Sequence, residues 1–161
     1  AFHRTFVDGL EDRENERTTE LEWIKLLTKY RDELLTCPIC GYEYIYGFEE
    51  KKRYDVCPSC GKPTKDVCVL YLSKNKIVLE PEKIIYASHL DKYTSDYKTS
   101  VGKVVVNKNN PSLWGIKLAL ENDVEIKDCE GNEKVVAKDG VIPIVRNLKI
   151  RFKENLIGEI K

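Results

Sequence analysis

Methionine is missing from all 161 residues, position 1 included. A reading frame opens with one, so a piece of a larger protein or a processed product is expected. Long apolar runs are also missing. No stretch approaches the ~20 residues that a membrane-crossing helix needs. The opening Ala1-Phe2-His3-Arg4 lacks the layout of a secretory signal. Excess charge of one sign is absent, with 27 Lys and Arg against 27 Asp and Glu. Non-specific DNA binding depends on neutralising phosphates, so a neutral chain is a poor candidate for it. There are only two histidines, His3 and His89, and neither stands in a recognisable pattern with a nucleophile. A glycine-rich phosphate loop, G-x-S-x-G and H-E-x-x-H are all absent. The carboxylates are scattered, and Glu49-Glu50 or Asp8, Glu11 and Asp12 read as solvated faces. No active site is read from this chain, which is expected not to be an enzyme.

Cysteine is present, and its spacing is the strongest signal. Cys37-Pro38-Ile39-Cys40-Gly41 and Cys57-Pro58-Ser59-Cys60-Gly61 give C-x2-C-x16-C-x2-C. Each turn sets two thiolates on a tight bend, where backbone amides can point at the sulfurs. The spacing is that of a tetrahedral four-sulfur site. Cys37, Cys40, Cys57 and Cys60 are therefore read as ligands of a structural Zn2+. Four protein donors leave no open position for water or substrate. The alternative is iron in a rubredoxin-like site, which uses the same turns. Cys68 lies in an apolar strand pattern and reads as a small buried hydrophobe. Cys129 lies at a turn between Asp128 and Glu130, a poor setting for a nucleophile. This is not a secreted disulfide framework, and a reducing, cytoplasmic compartment is expected.

Three textures follow one another, giving an α+β class. Residues 1–35 read as helical: a short helix from Phe2 to Leu10, a polar loop from Glu11 to Arg17, then a longer helix. Thr19 with Glu22 matches a capping box. Leu21, Ile24, Leu27 and Leu34 or Leu35 recur at helical spacing. Residues 36–66 form the zinc ribbon. Within it Tyr42, Tyr44, Tyr46 and Phe48 alternate, so one face of a hairpin is aromatic. That face either packs over the metal site or against a neighbouring domain, or it offers a base-stacking platform.

Residues 67–161 read as an antiparallel β-sandwich. Strands are expected at 67–72, 76–80, 83–88, 101–107, 114–120, 124–127, 134–137, 141–145 and 148–152. Turn signals at Asn75, Asn109-Asn110-Pro111, Glu130-Gly131-Asn132 and Asp139-Gly140 separate several of them.

Phe2-His3-Arg4-Thr5-Phe6 and Arg17-Thr18-Thr19-Glu20-Leu21-Glu22-Trp23 resemble the last helices of a protein kinase C-terminal lobe. The resemblance covers about 35 residues and places Arg17 where the family has an arginine that pairs with the glutamate of its Ala-Pro-Glu segment. The order of helix, cysteine ribbon and β-domain resembles a bacterial branch of serine/threonine kinases, found with protein phosphatases and von Willebrand A-type proteins. The kinase motifs themselves are not in this chain.

The last segment resembles a forkhead-associated domain. Gly102-Lys103 falls where that family has Gly-Arg, and Ser112-Leu113-Trp114-Gly115 where it has Ser-x-x-His. The resemblance implies a phosphothreonine-binding face on those loops, with Lys103, Asn107, Ser112 and Trp114 as its candidate contacts. Lys103 lacks the planar fork that arginine offers a phosphate, and Gly115 lacks the histidine side chain. Trp114 is also suited to the core.

Together these readings predict a non-catalytic regulatory or docking tail of a kinase-like protein. Its partner would be another protein, a phosphothreonine peptide or the parent kinase domain. The alternative is a nucleic-acid-binding ribbon that uses Lys51, Lys52 and Arg53 with Tyr42, Tyr44 and Tyr46.

Overall fold

The structure is a computed structural model describing residues 1–12, 17–47, 56–63, 66–73, 75–91, 94 and 96–161. The chain divides into two compact units, Ala1–Asp32 and Glu33–Lys161.

In the first unit a π-helical turn over Arg4–Asp8 runs into α1 (Gly9–Glu11), and α2 begins at Glu20 and ends at Glu33. The capping box forms as the sequence predicts. The Thr19 N–H donates to Glu22 Oε2 at 2.7 Å, and the Glu22 N–H donates to Thr19 Oγ1 at 3.3 Å. Arg4 Nη2 lies 2.7 Å from the same carboxylate. The Arg4 guanidinium, then the Thr19 amide and hydroxyl, lower the Glu22 pKa from 4.5 to about 2. A depressed folded-state pKa adds stability that is complete above pH 4.5 and is lost as pH falls through about 2. Helical far-ultraviolet dichroism should therefore fall across this acid window. In Glu22→Gln, which keeps an acceptor but cannot titrate, part of that fall should disappear. Superimposable acid titrations of the two proteins would refute the coupling.

The second unit is β-rich. Two short strands, β1 (Leu34–Thr36) and β2 (Glu43–Ile45), pair antiparallel, with Leu35 opposite Tyr44. Sequence spacing assigned Leu34 and Leu35 to the helix. Instead the helix stops at Glu33, because Leu35 is buried at 2% exposure once its strand pairs with Tyr44.

Ten further strands follow among the described residues: β3 (Val69–Leu72), β4 (Asn75–Val78), β5 (Ile84–Tyr86), β6 (Ser100–Val106), β7 (Trp114–Leu118), β8 (Val124–Lys127), β9 (Glu133–Val136), β10 (Val141–Pro143), β11 (Lys149–Lys153) and β12 (Leu156–Ile160). They make two antiparallel sheets, ordered β10-β7-β6-β5 and β4-β3-β12-β11-β8-β9. Alternation sets which residues face inward, as in β11, where Ile150 and Phe152 are buried between exposed neighbours. Both sheets feed one buried cluster: Ile85, Val104, Ile116 and Ile142 come from the first, and Leu70, Ile77, Ile150 and Ile160 from the second.

All nine expected strands are present, eight with shifted ends and β8 at the expected Val124–Lys127, and β12 is an additional one. Ser88 and His89, expected as a polar strand end, are buried in the short α3 (Ala87–Leu90). His89 Nδ1 accepts the Tyr86 N–H at 2.9 Å, so the imidazole serves as a cap.

The edge strand β10 carries a proline. Ile144 N–H bonds to Trp114 and Leu118 N–H to Gly140, so the even-numbered residues of this segment face β7. Pro143 therefore turns its missing donor outward, where it costs no ladder bond and blunts strand addition at that edge.

Candidate metal centre

The two CPxCG turns fold alike. The Gly41 N–H donates to the Cys37 carbonyl and the Gly61 N–H to the Cys57 carbonyl, both at 2.9 Å. Each turn is then closed by the N–H of its first cysteine, from Cys37 to the Tyr42 carbonyl at 2.9 Å and from Cys57 to the Lys62 carbonyl at 2.7 Å. Gly41 and Gly61 stand at φ +72° and +67°, where a side chain would strain the backbone. The first turn joins β1 to β2. The second is flanked by an antiparallel bridge between Val56 and Pro63.

This folding gathers Cys37, Cys40, Cys57 and Cys60, whose sulfurs all lie within 4.8 Å of one another. The contacts Cys37–Cys60 and Cys40–Cys57 measure 3.8 and 3.7 Å. A metal–sulfur bond of about 2.3 Å in tetrahedral geometry gives an edge of about 3.8 Å. The arrangement thus fits a four-coordinate ion, and these four residues can hold one. As free thiols the sulfurs differ. The Cys40 and Ile39 amides, pointing at Cys37, bring it down to about 7. At Cys60 the Lys62 amide favours the thiolate, but burial and the neighbouring sulfurs prevail and push it up to about 11. A bound cation would favour the thiolate at every position.

The ribbon's aromatic face has a clear destination. Tyr44 and Tyr46 are each 7% exposed and pack in one cluster with Leu35, Cys37, Cys57, Val67, Val69 and Val78. They therefore brace the sulfur turns against β3 and β4 and are closed to nucleobases. Tyr42 is exposed. Phe48, Glu49, Glu50, Lys51, Lys52 and Arg53 lie outside the described residues. A contact that sequence reasoning missed fastens β1 in place. Lys83 Nζ donates to the Leu34 carbonyl at 3.1 Å and lies 3.4 Å from Glu80, which accepts the Thr36 N–H at 2.9 Å. No local pattern announces it, because 44 residues separate Thr36 from Glu80.

Of the four candidate partner contacts, three gather. Asn107, Ser112 and Trp114 line one groove of about 490 Å³ with Leu113, Val141 and Val145. The β6–β7 loop is shaped by Asn107, whose Oδ1 accepts the N–H groups of Asn109 and Asn110, and by Trp114, whose indole donates to the Pro111 carbonyl. Trp114 also packs against the core, so it lines the groove and joins the core at once. Lys103 is not part of this lining. It sits within β6 and is ion-paired with Glu82.

No protein-family model, curated protein or solved structure matches the chain. Fold and site define an α+β protein, mostly antiparallel sheet, with a four-cysteine cluster able to bind a metal ion. No described helix is long and apolar enough to cross a membrane.

Proposed function

We propose that this chain is a non-catalytic docking region of a larger, kinase-like signalling protein. In this reading a structural zinc ribbon braces a β-sandwich of the forkhead-associated type. The first unit is the end of a kinase lobe, and the whole works in the cytoplasm. Zinc is preferred to iron because nothing else among the described residues suggests electron transfer, while four thiolates suit either ion. The two sheets sharing one core support the sandwich.

The observation that carries the docking role is the loop groove. Its lining is largely apolar, with Leu113, Val141 and Val145 each more than half exposed, and Lys108 is its one charged residue. Lys103, the candidate phosphate contact, is held by Glu82 instead. Recognition of a protein segment without a phosphate requirement follows.

An array of paired threonine and phosphothreonine peptides, probed with the purified chain, tests this reading. Matched pairs should bind alike, and Leu113→Asp should weaken them about tenfold, roughly 1.4 kcal/mol. Strict dependence on phosphate would overturn phospho-independent docking. If the peptides fail and oligonucleotides bind with a steep salt dependence, the ribbon is a nucleic-acid module instead.

A further inference from the structure

The four cysteines are not equally exposed. Cys37 and Cys57 are buried, at 3% and 1% exposure, Cys60 is half-buried and Cys40 is exposed. Two sulfur contacts run between the turns, Cys40 to Cys57 at 3.7 Å and Cys37 to Cys60 at 3.8 Å, within a cluster whose sulfurs all lie within 4.8 Å of one another. The one exposed cysteine of the cluster therefore has the sulfur of a buried one against its own. A disulfide needs about 2.05 Å, so closing either contact takes under about 2 Å of approach.

We propose that Cys40 is a peroxide-reactive modification site and that Cys57 is its resolving partner. The Cys40 sulfur attacks a peroxide oxygen. An S–O bond forms, the O–O bond breaks, and the departing oxygen leaves as water when the oxidant is hydrogen peroxide. The product is a sulfenic acid on Cys40. The Cys57 sulfur then attacks the Cys40 sulfur. An S–S bond forms, the S–O bond breaks and a second water leaves. The two sulfurs have supplied the two electrons that reduce one peroxide. A second peroxide does the same for Cys37 and Cys60. Each disulfide removes two of the four donors available to a metal, so oxidation and metal retention exclude one another.

This inference rests on the metal-centre reading, and the experiment separates the two. Metal content is measured first on the untreated chain, and absence of metal there refutes that reading alone. The chain is then given hydrogen peroxide in stoichiometric steps, quenched by alkylation and mapped by peptide mass spectrometry, with released metal followed by a chromogenic chelator. Cys40 should be lost to alkylation first, and a peptide linking Cys40 to Cys57 should appear in step with metal release. Thiol reductant with added zinc should reverse both. Cys129, exposed and with no sulfur contact among the described residues, is the internal reference. Loss of Cys129 as fast as Cys40, or links confined to Cys37–Cys40 and Cys57–Cys60, would overturn the proposal. In Cys57→Ala the Cys40 sulfenic acid should persist and react with dimedone. If that variant does not fold, the link pattern of the unmodified chain still decides.

Discussion

Cys57→Ser should abolish stoichiometric metal binding and lower the thermal midpoint by about 10 °C. Structural zinc contributes about 10–16 kcal/mol in small peptide domains, where it is nearly the whole folding energy. Here the larger core cluster of the β-domain does not include the cysteine turns, so much of that energy would go into ordering the turns themselves. We expect about 3 kcal/mol to reach the stability of the chain, at about 3 °C per kcal/mol for its size. The loss should be local first. Cys57 is buried with Tyr44, Tyr46, Val67, Val69 and Val78, so amide exchange should accelerate in β3 and β4. Ile116 and Ile150 belong to the other cluster and should keep their protection. Cys129→Ser, at an exposed turn, should change neither metal content nor midpoint. Full metal occupancy in Cys57→Ser, or an unaltered midpoint, would show that a bound ion does not organise the cysteine turns. Zinc gives a colourless protein, whereas a coloured one would place iron in the site.

The cysteine cluster was legible because its constraint is local. Two tight turns with glycine at a left-handed position must present their sulfurs together, whatever surrounds them. The strands were legible because inward residues alternate over short runs, as in β8, where Val124 and Ile126 are buried between exposed neighbours. What escaped was decided elsewhere in the chain. Leu34 and Leu35 continue the helical spacing, and only pairing with Glu43–Ile45 turns them into a strand. The last strand was hidden by Gly158, which usually weakens a strand. Here a Cβ on Gly158 would meet Leu72 at 2.8 Å, Leu70 at 3.1 Å and Phe152 at 3.2 Å, so the glycine permits close packing. The alternation of Tyr44 and Tyr46 could be read, and so could packing over the sulfur turns, but not that Val67, Val69 and Val78 complete the cluster. The groove needed β10 to lie beside β7, a pairing no local pattern encodes.

Gly115→His should destabilise the chain severely and should not create phosphothreonine binding. The forkhead-associated resemblance places the family's histidine here, so this substitution is the direct attempt to restore it. Gly115 lies in β7 between Val105 of β6 and Pro143 of β10. A Cβ at this position would sit 2.4 Å from Val141 Cγ1 and 2.9 Å from the Ile142 carbonyl oxygen. The valine methyl can rotate, since Val141 is exposed, but the carbonyl is backbone and moves only with β10. Overpacking of this kind costs about 1–3 kcal/mol for a small group. Gly115→Ala should therefore lose about 2 kcal/mol, or about 6 °C of thermal midpoint. Histidine adds a ring where even a methyl group does not fit, so β10 must leave β7 and take one wall of the groove with it. Adding Val141→Ala to Gly115→Ala should recover part of the loss, because it removes the shorter contact and leaves the carbonyl. A Gly115→His protein with an unaltered midpoint and new phosphothreonine affinity would show that the sheet edge accepts the family's histidine. A severe loss of midpoint without that affinity would show that the close approach of β10 keeps the family's histidine out of this position.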